Sequence, residues 1–361
     1  MGYVIVILLF RRAWQKPYRI PEVKDPLPHI SVVIPFRNEE AHLPALIKAL
    51  LGQDYPSNRF EVILIDDHSS DQSTQLVSSQ IGNVNNFILL HNSSSGKKAA
   101  LKTGILKAQG ELILTTDADC IPVASWLLTT ARAYMTEKPA LLIGPVRMIP
   151  GKSIISRFQA LDFMALQMAG AGAAMMKHAV FCSGANLAFR KEEWISVSQN
   201  LNGEQTASGD DVFLLHALKR AGSSIQFLKE KAAMVSTTTE EDLTGFLKQR
   251  MRWGGKSRFY TDFSTILLAL LVLLTNIYMA FTFLTAIWRP HYLLFFVIPF
   301  LLKIIADYLL LKRGEDFFSL IIKPLPILLF SLFYPFYIVV AGIGGLLITP
   351  TWKSNTTKKR N

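Results

Sequence analysis

The sequence predicts an α/β domain on a mostly parallel sheet, followed by C-terminal transmembrane helices. Three observations predict it. Short apolar runs alternate with stretches of helical periodicity through the first part of the chain. Polar and acidic clusters stand at the ends of those runs. From about Phe263 onward the chain is mostly apolar, in stretches at or above the ~20 residues a helix needs to cross a bilayer.

Ile30–Pro35 is a buried-strand run stopped by Pro35. Glu39–Leu51 has helical spacing, with Leu43, Leu46, Ile47, Leu50 and Leu51 on one face. Phe60–Ile65 is the next strand and ends in Asp66 and Asp67. Asp71–Ile81 reads as a helix capped by Ser69, Ser70 and Asp71. Phe87–Leu90 is a third strand, Lys97–Ala108 a helix stopped by Gly110, and Glu111–Thr116 a fourth strand. In such sheets ligands bind beyond the carboxyl ends of the strands. Here those ends carry Arg37, Asn38 and Glu39, then Asp66 and Asp67, then Asp117 and Asp119. Met164–Met176 is rich in Ala, Gly and Met and fits either a flexible, membrane-adjacent helix or a closely packed core helix.

The Asp117-Ala118-Asp119 run is the most informative local feature. Side chains alternate along an extended segment, so residues i and i+2 point the same way. Two convergent carboxylates at a strand end suit a hard divalent cation that also holds a diphosphate. Taken alone, the same pattern also fits a solvated turn or a helix cap.

The bulk numbers agree with a soluble domain joined to a membrane domain. The chain has 361 residues, net charge +11 and 50% hydrophobic residues; its mean hydropathy is +0.28. The positive charge lies largely near the membrane-facing segments, which favours anionic lipid headgroups as partners. No nucleic-acid-binding motif occurs, so nucleic acid is not an expected partner. Cys120 and Cys182 fit a reducing compartment and offer no metal-ligand spacing.

The sequence divides into a short apolar and basic segment (1–27), an α/β domain (28–240), a basic-aromatic interfacial segment (241–262), a transmembrane domain (263–350) and a basic tail (351–361). Val4–Phe10 is too short to span and precedes Arg11, Arg12, Lys16 and Arg19; it is either the remnant of a longer anchor or an interfacial segment, and lacks the charged n-region of a signal peptide. The expected spans are Phe263–Trp288, His291–Leu311 and Phe318–Thr349, with Pro324 and Pro326 kinking or delaying the third. A charged loop, Lys312–Asp316, separates the second from the third. The excess of Lys and Arg in cytoplasmic loops puts Lys312 and Arg313 in the cytoplasm, Arg289 opposite, and the α/β domain cytoplasmic on an inner, cell-membrane protein. Lys353 and Lys358–Arg360 conflict with a three-span count, so either the third segment is interfacial or re-entrant, or the charge rule fails here.

Several motifs then recur in one order. They are Val33–Glu40, which includes Pro35, Asn38 and Glu39; Ile65–Asp71; Gly96–Leu101, which includes Lys97; Thr116–Asp119; Ser183–Arg190, which includes Gly184; Gly209-Asp210-Asp211; and Gln249-Arg250-Met251-Arg252-Trp253. In these the chain resembles the family-two inverting glycosyltransferases of GT-A fold, and looks most like the membrane-bound branch of cellulose, hyaluronan and poly-N-acetylglucosamine synthases. The resemblance covers roughly residues 30–260. His68 stands where the family usually has Gly, and Asp210 where it has Glu.

The resemblance implies a Rossmann-like nucleotide-sugar domain and a set of roles. Asp119, helped by Asp117, would hold Mg²⁺ or Mn²⁺ against a diphosphate. Pro35, Asn38, Glu39, Asp66, Asp67, Lys97 and Asp117 would line the nucleotide-sugar site, with Asp66 or Asp67 accepting from the base or ribose. Asp211 would be the general base, although Asp210 and Asp211 also suit a helix cap. Gly184, Asp210, Gln249, Arg252 and Trp253 would serve the acceptor and diphosphate, with Arg250 or Arg252 reaching the latter. The implied partners are a UDP-sugar donor, a lipid-linked or glycan acceptor, membrane lipids and a partner membrane subunit. The alternatives are a non-catalytic membrane subunit of the same fold that binds glycan or partner proteins, and a nucleotidyl or phosphoryl transferase using the same carboxylates.

Overall fold

A computed structural model of the chain describes residues 1–21, 26–199, 201 and 209–347. The chain opens with helix α1 (Gly2–Trp14). Then β1 (Ile30–Phe36), α2 (Leu43–Leu51), β2 (Phe60–Asp66), α3 (Ser73–Ile81), β3 (Phe87–His91), α4 (Lys97–Lys107) and β4 (Leu112–Thr115) alternate as the sequence predicts. Next come β5 (Ile121–Pro122), α5 (Trp126–Glu137), β6 (Leu141–Ile143), β7 (Val146–Ile149), α6 (Ile154–Met175), β8 (Leu187–Arg190) and α7 (Lys191–Ser198). They are followed by α8 (Asp210–Arg220), β9 (Ile225–Phe227), β10 (Val235–Thr238) and α9 (Leu243–Gly254). Helices α10 (Phe263–Trp288), α11 (Leu293–Phe318) and α12 (Pro324–Leu347) complete the described chain.

The main sheet runs β3-β2-β1-β4-β8-β6-β9, and a small sheet runs β5-β10-β7. β1, β2, β3 and β4 pair in parallel, while β8 enters antiparallel between β4 and β6. Every residue of β1 and β2 is buried, as expected for parallel strands covered on both faces. The period of two sorts them. Val33, Ile63, Ile65 and Ile113 join a core with α4, α6, α1 and α11. Val32, Ile34, Val62, Leu64, Leu112 and Leu114 join one with α2 and α5.

The local differences from the sequence reading have physical reasons. α2 begins at Leu43 instead of Glu39, and Glu39 and Glu40 lie in the turn before it with their backbone N–H groups donated to Ser73 and Asp71. Leu51 is 49% exposed and leaves the apolar face. α3 begins at Ser73, with Asp71 Oδ1 accepting the Ser73 N–H at 3.0 Å and Ser69 and Ser70 turned to other partners. Gly110 is not the terminating cap of α4. It lies where β1 passes, and a Cβ there would be 2.6 Å from Ser31 N and 2.7 Å from His29 O. The Ala/Gly/Met stretch is the packed-core alternative: α6 buries Met164, Met168, Ala171, Ala173 and Ala174.

α1 docks on α6 and α11. Phe10 sits against Gly172, Tyr3 Oη donates to Asp307 Oδ1 at 2.8 Å, and Trp14 Nε1 donates to the Arg313 carbonyl at 3.2 Å.

Among the described residues, three helices are long and apolar enough to cross a membrane: Phe263–Trp288, Pro290–Phe318 and Pro324–Leu347. Lys312–Asp316 is not a loop, because the helix continues through it to Phe318. Lys312 pairs with Glu315 on the helix surface, Glu315 also accepts the Ile322 N–H at 3.0 Å, and Ser319 turns the chain at φ 52°. Pro324 delays the third span by starting it, the position proline favours. Tail residues 351–361, with Lys353 and Lys358–Arg360, lie outside the described residues.

α9 crosses α12 backbone to backbone. A Cβ on Gly254 would be 3.0 Å from the Ala341 carbonyl, and one on Gly345 would be 2.8 Å from the carbonyl carbon of Gly254 and from Gly255 N. Gly345→Leu is expected to push the two helices apart at a cost of about 1–3 kcal/mol. Denaturant unfolding in detergent checks this, and an unchanged midpoint would contradict the close crossing.

Candidate active site

The carboxyl ends of β1 and β2 are locked together before any ligand is considered. Asn38 takes φ 54° so that its Oδ1 can accept the Ser70 N–H at 2.8 Å, and its own N–H donates to Ser69 Oγ at 3.0 Å. Asp66 Oδ1 accepts the Ser69 N–H at 3.0 Å. His68 sits at φ 61°, which explains why glycine suits this position in the family it resembles. Asp67 is fully buried. Its Oδ1 accepts from Gly96 N at 2.9 Å and from Asn92 Nδ2 at 2.6 Å, and Arg37 lies 3.8 Å from Oδ2. It thereby ties the end of β2 to Gly96, which takes φ 106° and starts α4.

That tie brings Lys97, the first residue of α4, across to the end of β4. Lys97 Nζ lies 2.5 Å from Asp117 Oδ1. Burial would lower the Lys97 pKa, but Asp117, Asp210 and Asp211 outweigh it and push it up. Asp119 is reached by solvent yet shielded by the surrounding walls. This shielding, with Asp117 and Glu39 close by, lifts its carboxyl above the usual range. A carboxylate raised first by shielding and then by acidic neighbours favours a partner of positive charge.

The fourth corner comes from α8. Gly209 takes φ 109°, and a Cβ there would be 2.7 Å from the Phe213 ring, so this entry to the helix needs glycine. Asp210 and Asp211 form the first turn of α8. Asp211 Oδ1 accepts the Val212 N–H at 2.8 Å, its Oδ2 accepts the Gly184 N–H at 3.1 Å, and Lys256 Nζ lies 3.4 Å from Oδ1. Burial opposes ionisation of Asp211, but Lys256 and these amides prevail and hold its carboxyl below the usual range. Burial raises Asp210, which Lys98 faces at 3.9 Å. The Gly184 loop is itself anchored, with Thr115 Oγ1 donating to the Gly184 carbonyl at 3.0 Å and Asn186 accepting from Trp126 Nε1 at 2.9 Å.

α9, which packs against α12, closes another wall of the site. Gln249, Arg252 and Trp253 face a cavity of about 790 Å³ that is also lined by Pro35, Lys97, Asp117, Asp119, Gly184, Asp210 and Asp211. Asn38, Glu39, Asp66 and Asp67 are not among its lining residues. Arg250 points away from it. Its guanidinium lies 2.8 Å from Asp162 Oδ2 and 4.6 Å from the Trp253 ring centroid, so of the two arginines Arg252 is the one on the cavity.

Cys120 and Lys256 escaped the sequence reading. One ligand atom each from Asp117, Asp119 and Cys120 lies within 4.8 Å of the others. The only sequence signal is adjacency to Asp119, which two widely spaced cysteines obscure. Burial and Asp119 keep the Cys120 thiol well above its ordinary pKa. The two carboxylates thus form the hard-ligand pair that a divalent cation such as Mg²⁺ or Mn²⁺ fits. Lys256 stood in a run of basic and aromatic residues with nothing to separate it from its neighbours.

Residues 31–193 match the family described as Glycosyl transferase family 2. The probable glycosyltransferase YdaM of Bacillus subtilis is 28% identical over 242 residues, 64% of this chain and 56% of that protein. An undecaprenyl-phosphate 4-deoxy-4-formamido-L-arabinose transferase of Yersinia pestis is 36% identical over 100 residues, 27% of this chain and 31% of its own length. A β-monoglucosyldiacylglycerol synthase of Nostoc is 31% identical over 120 residues, 32% of this chain and 26% of its length. The chain therefore spans about half the length of the first of these relatives and a third or less of the others. In fold, it is similar to the mannosyltransferase PcManGT of Pyrobaculum calidifontis, solved with GDP-Man and Mn²⁺, at a TM-score of 0.56 and 17% identity over 96% of both chains. With the mostly parallel sheet, the acidic strand ends and the apolar C-terminal helices in place, the chain carries a glycosyl transferase family 2 domain on a GT-A-like fold.

Proposed function

We propose that the protein is a membrane-anchored inverting glycosyltransferase. It moves a hexose or N-acetylhexosamine from a UDP-sugar to a lipid-linked or glycan acceptor at the cytoplasmic face of the cell membrane. One observation carries the reading. The strand-end carboxylates Asp117 and Asp119, the helix-start carboxylate Asp211 and the aromatic Trp253 line one cavity, and Trp253 sits on the helix that packs against α12. The names of two relatives, one acting on undecaprenyl phosphate and one making a glucosyl diacylglycerol, support a lipid-linked acceptor.

Inverting transfer is one displacement. The acceptor oxygen bonds to the anomeric carbon as the bond to the diphosphate breaks, and the acceptor hydroxyl loses its proton. A divalent cation held by Asp119 and Asp117 would supply Lewis-acid neutralisation of the departing diphosphate. Lys97 and Arg252 add positive charge from the α4 and α9 walls. Asp211 takes the proton. It faces the cavity from the start of α8, and the fixed Gly184 and Val212 amides orient it. Trp253 offers a flat surface to the apolar face of an acceptor sugar. Its tilt is set by Arg250, Phe163 and, through Arg250, Asp162.

Nucleotide release by detergent-purified protein, across UDP- and GDP-sugars with Mg²⁺ or Mn²⁺ and membrane lipid, tests the reading. A nucleoside diphosphate is expected from one donor. Asp211→Asn is expected to lower kcat by about 10²–10⁴, and Asp119→Ala to abolish the metal-dependent rate. Full activity in either variant would remove the role given to that residue. Pyrophosphate as product would instead mean nucleotidyl transfer. Binding of a sugar nucleotide without turnover would mean a non-catalytic subunit or one that lacks its partner membrane subunit. Trp253→Ala should raise the acceptor KM roughly three- to tenfold while leaving the KM for the donor unchanged.

A further inference from the structure

We infer that Lys256 is a positioning residue for the transfer, holding the Asp211 carboxylate on the acceptor side of the cavity in its charged, proton-accepting form. The inference rests on the reading of Asp211 as the base and adds a residue that the motifs do not contain.

Among the described residues, three donors surround Asp211. Two are backbone amides, Gly184 N–H and Val212 N–H, which the fold fixes. The third is the Lys256 ammonium, 3.4 Å from Oδ1, with side-chain exposures of 11% for Lys256 and 15% for Asp211. Lys256 is itself placed. It follows Gly254 and Gly255, which cross α12, and its stem lies against Gly209, where a Cβ would stand 3.3 Å from Lys256 Cδ. Substitution at Gly209 would therefore press on the lysine as well as on Phe213.

The other charged and titratable groups around Asp211 have different assignments. Lys97 of α4 pairs with Asp117, and Lys98 of α4 faces Asp210, the neighbour of Asp211 on α8. Cys182, from the segment before β8, and Tyr260, after Lys256, are near enough to feel the Asp211 charge. Both stay protonated, since burial first and Asp211 second push each of them up. Among the described residues, Lys256 is the ammonium in salt-bridge contact with Asp211. Burial works against the charged form of Asp211, and Lys256 is the largest opposing influence. With the lysine charge gone, burial is opposed by less, so protonation of Asp211 would begin at higher pH.

The test is the pH dependence of kcat/KM for hydrolysis of the active donor, with water as acceptor, by the full-length protein in detergent. Lys256→Met and Lys256→Gln should move the acidic limb to higher pH. Lys256→Arg, which keeps the charge, should leave that limb where the natural protein has it. A purely structural role would lower the plateau without moving the limb. An independent measurement needs no turnover. Unfolding of Lys256→Met, Asp211→Asn and the double variant should be non-additive, because the two side chains share one contact. Superimposed limbs in all variants, or strict additivity, would overturn the inference. Wild-type release by Asp211→Asn would instead overturn the reading of Asp211 as the base, whatever the Lys256 variants do.

Discussion

The arrangement depends on a carboxylate that never reaches the cavity. Asp67 is fully buried, and a buried charge without partners is costly. Its partners are the Gly96 amide, the Asn92 side chain and, at longer range, Arg37. Meeting that demand draws the start of α4 against the end of β2. It also fixes Lys97 beside Asp117 and Lys98 beside Asp210. Loss of one partner of a buried, hydrogen-bonded charge costs about 3–5 kcal/mol. The placement of the two α4 lysines at the cavity therefore follows from one constraint in the core.

From that anchor the charges alternate around the cavity. The acids come from β4 and α8, and the lysines come from α4 and the segment after α9. Asp119 is held high by shielding and then by its acidic neighbours, and Asp211 is held low, against burial, by a lysine and two amides. Environments that push similar carboxyl groups in opposite directions assign them different work. In the proposed function, Asp119 would work beside the diphosphate at the end of β4, and Asp211 beside the acceptor hydroxyl at the start of α8.

Much of this was legible in the sequence, and the boundary is physical. Alternation of β1 to β4 with helices followed from periodicity, because buried parallel strands read as uninterrupted apolar runs such as Ile30–Pro35 and Phe60–Ile65. The first span was read to its ends, since Asp262 accepts the Thr265 N–H as its cap and Arg289-Pro290 closes it. The charged run 312–316 misled because charge marks exposure, and an exposed helical turn is as polar as a loop. Gly110 misled because a glycine required by a neighbouring strand is indistinguishable, along the chain, from one that ends a helix. The division of labour between Arg250 and Arg252 was out of reach for a different reason: it depends on Asp162, far away in sequence. Lys256 was hidden in the same way.

The crossing of α9 and α12 has a geometric consequence. Glycines at 254, 255 and 345 leave no side chains between the two backbones, and the contact falls near the last described turn of the span. The domain is therefore riveted to its anchor instead of hanging from it. With α12 as the proposed membrane anchor, the height of Trp253 above the bilayer would be a fixed length of the molecule, as in a depth gauge. A membrane-borne acceptor would be selected first by how far its reacting group stands out of the lipid, and only then by its chemistry.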